Sequence, residues 1–301
     1  MIANPPPWPN GARCAVAITF DVDSDSFLHV SLPDRAHRLV ASTSWARYDE
    51  VAIPRLVDLF GRHGLRQTFF FPAWCMERYP HLVETVLAGG HEVGLHGYLH
   101  ELANTLSRER ESELLLRGIE VTRRLVGERP TGWRAPLYSF SEHTADLIAD
   151  QGFLYDSSLM GDDVPYVLQA RSGEVIELPL HDASDDWPQY AENWDLRYHA
   201  PIRPPERGIE TFRAEFEAAW EHGGLWIAVW HPFVSGRLSR AIEVGKLIEH
   251  MEQRGGVWFA TLREIAAHVR ACLDDGSYSP RRVEMPYYSQ PVTELDQVLG
   301  P

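Results

Sequence analysis

VAITFDVDSD, residues 16–25, is an apolar run of β-formers that ends in three carboxylates, Asp21, Asp23 and Asp25, at every second position. Successive side chains on a strand face opposite ways, so residues two apart point in one direction. A strand that continues through Asp23 therefore aims two carboxylates at one spot. Like charges held that close need a cation or a shared proton between them. Similar endings recur along the chain. EVGL runs into His96, with His100 four residues on in HGYLH, and TGW is followed by Arg134-Ala135-Pro136. FLY leads to Asp156-Ser157-Ser158, and LWIAVW to His231-Pro232. Apolar strands that finish in ionisable groups are the pattern of an α/β barrel, whose reactive side chains sit at the carboxyl ends of the strands.

Reading outward, short apolar runs alternate with amphipathic stretches. The expected strands are CAVAITF, RQTFFF, HEVGLH, TGWRA, FLYDSS, EVIELPL, LWIAVW and VWFAT. Helices are expected near 50–63, 79–89, 106–126, 141–151, 209–222, 239–254 and 262–273, most with a usable start or stop signal. This alternation favours a deformed parallel (β/α) barrel, TIM-like, in a single domain over an open sheet. The expected division is an N-terminal arm (1–14), the barrel (15–273) and a tail (274–301) packed on it. Segments 24–48, 159–174 and 182–206 break the alternation. Long insertions of this kind usually serve as lids or binding loops, and subunit contacts are the other reading.

Composition narrows the class. The chain has 301 residues, 44% hydrophobic, enough for a full core. A net charge of −15 argues against nucleic-acid binding. No apolar run approaches membrane-spanning length, and MIANPPPWPNGAR does not read as a secretory signal. Cys14, Cys75 and Cys272 are widely spaced and are expected to be reduced and buried. The expectation is a soluble, cytoplasmic protein without nucleic-acid or membrane partners.

Each candidate group also has a plain reading. HxxxH places two imidazoles on one side of a helical turn or of a tight bend, which suits a shared metal, but histidines at that spacing also arise by chance. Asp25 reads as a strand-end cap, Arg134 as a surface pair and His231 as a core histidine bonded to backbone. His91 and His181 stay ordinary. The joint pattern outweighs the separate ones: two His and one Asp make a facial set that leaves a divalent ion open to water and substrate.

TFDVDSD, HGYLH, WRAP and VWHP, in this order, resemble the motifs of the polysaccharide deacetylase (NodB-homology) superfamily over about residues 15–265. The resemblance implies the NodB-type barrel and hydrolysis of carbon–nitrogen bonds other than peptide bonds. It implies Asp21 as general base, and Asp23, His96 and His100 as ligands of one divalent metal, zinc first among them. It implies Arg134 as the tether of the base, His231 as general acid, and a backbone N–H just after Pro136 as the oxyanion donor. The chain departs from the family pattern in two places. Val22 separates aspartates that are usually adjacent, and YDSSLMGDD stands where the family supplies an Asp and a Trp beside the catalytic histidine. Asp156, Asp162 and Asp163 are thus all candidates to orient His231. These features are similar to a cytoplasmic subgroup that includes cyclic imide hydrolases, relatives of a metal-free allantoinase and peptidoglycan deacetylases assigned by homology. The relatives imply a homotetramer, while the lack of a readable export signal, the aromatic-rich insertions at 24–48 and 182–206 and the Tyr/Pro-rich tail lead to the expectation of a small amide, imide or ureide substrate. An N-deacetylase of an amino sugar, chitooligosaccharide or peptidoglycan is the alternative, and an inactive barrel acting as a binding module is the second.

Overall fold

The computed structural model describes residues 1–289. Its strands are β1 (Cys14–Asp21), β2 (Thr68–Phe71), β3 (Glu92–Leu95), β4 (Gly132–Trp133), β5 (Tyr155–Asp156), β6 (Tyr166–Ala170), β7 (Gly173–Glu177), β8 (Glu192–Asn193), β9 (Tyr198–His199), β10 (Leu225–Trp230), β11 (Val257–Phe259) and β12 (Arg282–Glu284). The helices are α1 (Ser26–Ser31), α2 (Val40–Ala46), α3 (Asp49–Arg62), α4 (Ala73–Arg78), α5 (Pro80–Ala88), α6 (Arg108–Val126), α7 (Thr144–Asp150), α8 (Trp187–Tyr190), α9 (Pro205–His222), α10 (Pro232–Ser235), α11 (Leu238–Arg254) and α12 (Leu262–Asp274).

Seven strands lie side by side in parallel, in the order β10-β1-β2-β3-β4-β5-β7, as an α/β sheet with helices outside it. No ladder joins β7 to β10 among the described residues. One bridge, Asp185 to Val229, spans that gap, and the Asp186 N–H donates to the Val229 carbonyl at 3.1 Å. The barrel is thus deformed at this seam rather than evenly closed. β6 returns antiparallel to β7, β12 pairs with β6, and β11 pairs with the start of β1.

Every residue of β1 and β10 is buried, as expected for parallel strands covered on both faces. Alternation still sorts β1. Val16, Ile18 and Phe20 join the outer core under the helices, whereas Ala15 and Ala17 join an inner core with Ile227 and Val229. Thr19 and Asp21 continue the inner face. The register then gathers the strand ends. Phe20 pairs with Trp230, Leu95 with Trp133, and Trp133 with Asp156. Asp21, His96, Arg134, Ser157 and His231 therefore all leave the sheet at about one level.

The eight expected strands all form, and the expected helices form within a few residues. The insertions prove more ordered than alternation suggests: 24–48 holds α1 and α2, 159–174 holds half of the β6–β7 hairpin, and 182–206 holds α8 and the β8–β9 hairpin. Short polar-rich segments carry too few periods for such elements to stand out. The tail, which reads as irregular, contributes the edge strand β12, and the Tyr278 hydroxyl donates to the Pro165 carbonyl at 2.7 Å. Residues 290–301 lie outside the described residues. No described helix is long and apolar enough to cross a membrane.

Candidate active site

Val22 turns into the outer core, and its two neighbours Asp21 and Asp23 line a single cavity of about 690 Å³ at the carboxyl ends of the strands. β1 itself ends at Asp21, short of Asp23. The chain stays against the sheet for one residue more, the Val22 N–H donating to the Phe70 carbonyl at 2.8 Å, and both carboxylates face that cavity. Asp25 does not share in it: Oδ1 accepts the Tyr79 hydroxyl at 2.7 Å. The bend after Asp23 places Ser24 at φ 45°, and the buried Asp49 carboxyl holds it, accepting from the Ser24 N–H at 3.1 Å and hydroxyl at 2.8 Å. Burial pushes the Asp49 carboxyl up to about 8, partly offset by the Ser24 bonds.

The HGYLH segment is a bend, not a helical turn. Gly97 has φ +71° and a Cβ there would meet Pro136 Cγ at 3.0 Å, while His100 itself lies at φ 73°. Glu101 caps the bend by accepting the Tyr98 N–H at 2.9 Å and the Leu99 N–H at 2.6 Å. His96 Nδ1 donates to the Arg134 carbonyl at 2.8 Å, which leaves Nε2 free as a lone-pair donor. His96 Nε2 is 3.5 Å from Asp23 Oδ1, and His100 Nε2 is 3.4 Å from Asp23 Oδ2. Asp23 Oδ1 is buried without a hydrogen bond, an arrangement that calls for a cation. One donor atom each from Asp23, His96 and His100 falls within 4.8 Å of the others. This orphaned oxygen and the oriented imidazoles fit a divalent ion. Burial alone would raise Asp23, but His100, His231 and His96 together hold it below the ordinary carboxylate range.

Outer-shell groups that orient ligands typically contribute ten- to a hundredfold in metal affinity. Glu101→Ala frees two N–H groups and loosens the bend that carries His100, so we expect zinc to bind about tenfold more weakly. A competition titration against a chromophoric chelator reads this directly, and unchanged affinity would exclude Glu101 from that role.

Arg134 is not a surface pair. It is fully buried over the Phe70 ring, with Nη1 donating to Asp21 Oδ1 at 2.8 Å and to Thr19 Oγ1 at 2.7 Å. Its Nε donates to the Ser157 carbonyl at 2.9 Å and Nη2 to Ser157 Oγ at 3.1 Å. The guanidinium is thereby locked with its charge against Asp21. Beyond Pro136 the chain enters a tight turn with Leu137 at φ 48° and Tyr138 at φ 56°. Left-handed geometry at a non-glycine residue costs about 1–2 kcal/mol. The Leu137 N–H has no partner among the described residues and the residue lines the cavity.

None of the three aspartates expected to orient His231 does so. Asp156 accepts the Ser158 hydroxyl at 2.7 Å, Asp162 pairs with Arg281 at 3.3 Å and Asp163 with His181 at 3.3 Å. The partner is Asp186, from the insertion that bridges the seam: its Oδ1 accepts His231 Nδ1–H at 2.7 Å. Asp186 Oδ2 also accepts the His231 backbone N–H at 3.0 Å and the Ser235 hydroxyl at 2.5 Å. Next to it the Trp187 ring stands 5.4 Å from the imidazole. An Asp and a Trp beside the late histidine are thus present, supplied by Asp185-Asp186-Trp187 rather than by the stretch after β5. The dipeptide Asp186-Trp187 was the available signal. Burial opposes charge on His231, but Asp186, then Asp23 and Asp185, outweigh it and raise its pKa well above the ordinary value. Its Nε2 reaches to 3.5 Å from Asp23 Oδ2. Asp185, Asp186 and His231 also cluster closely enough to suggest a second metal group. Their oxygens are already used, however, by Tyr138, Trp187, Ser235 and His231 itself, so they read as a hydrogen-bond relay.

Two of the three insertions, 24–48 and 182–206, wall the cavity. Phe27, Leu32 and Arg35 come from one, Trp187, Leu196 and Tyr198 from the other. They interlock through the Ser42 hydroxyl, which donates to Asp195 Oδ2 at 2.7 Å, and through Arg35, 3.3 Å from Asp195 Oδ1.

The family model described as polysaccharide deacetylase matches residues 10–155. The chain is 31% identical over 259 residues to the peptidoglycan deacetylase of Helicobacter pylori, covering 72% of this chain and 83% of that protein. It superposes on the crystal structure of a Mycobacterium smegmatis protein assigned to the polysaccharide deacetylases with a TM-score of 0.89 and 38% identity, over 96% of this chain and 99% of the other. A likeness in fold alone extends to the allantoinase Puue, at TM-score 0.77 and 23% identity over 89% of this chain and 95% of the other. With so much of the length shared, the chain belongs to the polysaccharide deacetylase family, hydrolases that act on carbon–nitrogen bonds.

Proposed function

We propose that this protein hydrolyses an amide-type carbon–nitrogen bond in a small substrate, a cyclic imide, ureide or similar amide, with the help of one divalent metal. The observation that carries the size of the substrate is the cavity. Two interlocked insertions wall a space of about 690 Å³, within the usual range of small-molecule sites.

Asp23, His96 and His100 would hold the metal, zinc first among the candidates. When bound, it supplies Lewis-acid polarisation of the scissile carbonyl and acidifies water. Asp21, held in place by Arg134 Nη1, takes a proton from the attacking water. The Leu137 N–H donates to the carbonyl oxygen as negative charge develops there. His231, held through Nδ1 by Asp186, delivers a proton from Nε2 to the departing nitrogen. Without that proton the amide nitrogen is a poor leaving group.

The name of the Helicobacter relative favours a second reading, N-deacetylation of an amino sugar or of peptidoglycan. An acetamido group would then enter the same cavity, with the sugar at the mouth beside Arg35 and Arg197. Turnover of succinimide, dihydrouracil and allantoin, set against chitooligosaccharides and acetylated peptidoglycan, separates the two. We expect ring opening of at least one small substrate and little release of acetate from polymers. Efficient deacetylation of the glycans with no ring opened would replace the first reading by the second. A metal-loaded protein inert on every compound would point to a binding module.

A further inference from the structure

We propose that Tyr138 and Asp185 are positioning residues, whose mutual hydrogen bond holds the turn that presents the Leu137 N–H to the reacting carbonyl. The inference rests on the hydrolase reading of this site. The turn is poor at holding itself: Leu137 and Tyr138 are consecutive non-glycine residues with positive φ, at 48° and 56°. Its local bonds are the Tyr138 N–H to the Ala135 carbonyl at 3.0 Å and, to the Pro136 carbonyl, the Ser139 N–H at 2.9 Å and hydroxyl at 2.6 Å. The exit of the turn is held where Ser139 accepts the Ala103 N–H at 3.1 Å and the Asn104 N–H at 3.2 Å. The local bonds are compatible with several tight turns and do not select this one. At Tyr138 itself a further long-range tie acts. The Tyr138 hydroxyl donates to Asp185 Oδ2 at 2.6 Å, and the other oxygen of Asp185 accepts the Trp187 N–H at 2.7 Å.

Asp185 is itself anchored, because its backbone bridges the seam to Val229. The phenol remains a donor at all relevant pH, since burial and the neighbouring Asp185 push Tyr138 well above its ordinary value. Burial also lifts Asp185 to about 6, partly offset by His231, so above that pH it is a charged acceptor. A charge-assisted bond in a buried setting is among the stronger kinds. The next residue, Asp186, orients His231. One anchored dipeptide therefore sets both the carbonyl-side donor, through Tyr138, and the leaving-group acid.

The test uses zinc-loaded full-length protein carrying Tyr138→Phe, Asp185→Ala or both. Succinimide kinetics, metal content and crystal structures are the readouts. A misplaced oxyanion donor should lower kcat about tenfold or more in each single variant, with KM within about threefold and metal content unchanged. Because both variants break one bond, the double variant should be about as slow as the slower single one. In the Tyr138→Phe structure, Leu137 or residue 138 should leave the left-handed region. Retention of kcat within about threefold in Tyr138→Phe, or losses that multiply in the double variant, would overturn the proposal. Should the wild type hydrolyse nothing, the hydrolase reading fails separately. The backbone angles of Tyr138→Phe then decide whether this bond holds the turn, and an unchanged turn overturns it.

Discussion

Asp21→Asn is expected to keep its metal and lose turnover by about a hundred- to ten-thousand-fold, the usual contribution of a general base. The amide oxygen can still accept from Arg134 Nη1, now 2.8 Å from Asp21 Oδ1, so the shape of the site survives. The charge that takes the proton does not. Some stability goes with it, because a fully buried guanidinium loses its counter-charge, and breaking such a pair can cost about 3–5 kcal/mol. Thr19 and Ser157 still engage Arg134, so the folded state should persist. Asp186→Asn and His231→Ala belong to the same experiment from the other side of the bond. Removing the carboxylate that holds Nδ1–H leaves the tautomer of His231 undefined, and a loss of the same order is expected. Both deficits should shrink on substrates whose leaving nitrogen needs no proton. Single-turnover rates on such a pair of substrates provide the check. A loss below about tenfold in Asp21→Asn would move the base to another group.

The second large effect is on metal content. Protein with both His96→Ala and His100→Ala should retain a small fraction of the metal, against about one ion per chain in the wild type, while its far-ultraviolet circular dichroism is unchanged. Two nitrogen donors are gone, and Asp23 alone offers too little to hold a divalent ion. Bound metal also stabilises the native state, by about 2.7 kcal/mol when present at a hundredfold excess over its dissociation constant. Chelation should therefore lower the Tm of the wild type by several degrees and leave the double variant unmoved. Elemental analysis together with melting in the presence and absence of chelator reads both effects. Full occupancy in the double variant would refute the ligand set.

Much of this site is legible in the sequence. Asp21 and Asp23 were readable because alternation on a strand is local, and Val22 between them belongs to the opposite face. His96, Arg134 and His231 were readable as the first polar residues after apolar runs, where a parallel barrel exposes its strand ends. HGYLH was legible as a pair but not as a shape. Its bend depends on Gly97 and His100 at positive φ and on the Glu101 side chain, and spacing alone could not distinguish this from a helical turn. Arg134 is legible as a site candidate but its setting is not, since nothing in TGWRAP states that its guanidinium lies over Phe70 with no exposure.

The sequence by itself determined the α/β class, the eight apolar strands and the residue types at their ends, because these follow from periodicity over a few residues. Tertiary structure alone decided which acid serves His231. Asp186 lies 45 positions earlier in the chain and reaches it only because Asp185 bridges to Val229 across the seam where the sheet fails to close. The cavity wall was decided in the same way, by Ser42 and Asp195 meeting from insertions 153 positions apart. Strand alternation is written into neighbouring residues, whereas a contact between distant segments depends on how the whole sheet twists and where its register leaves a gap.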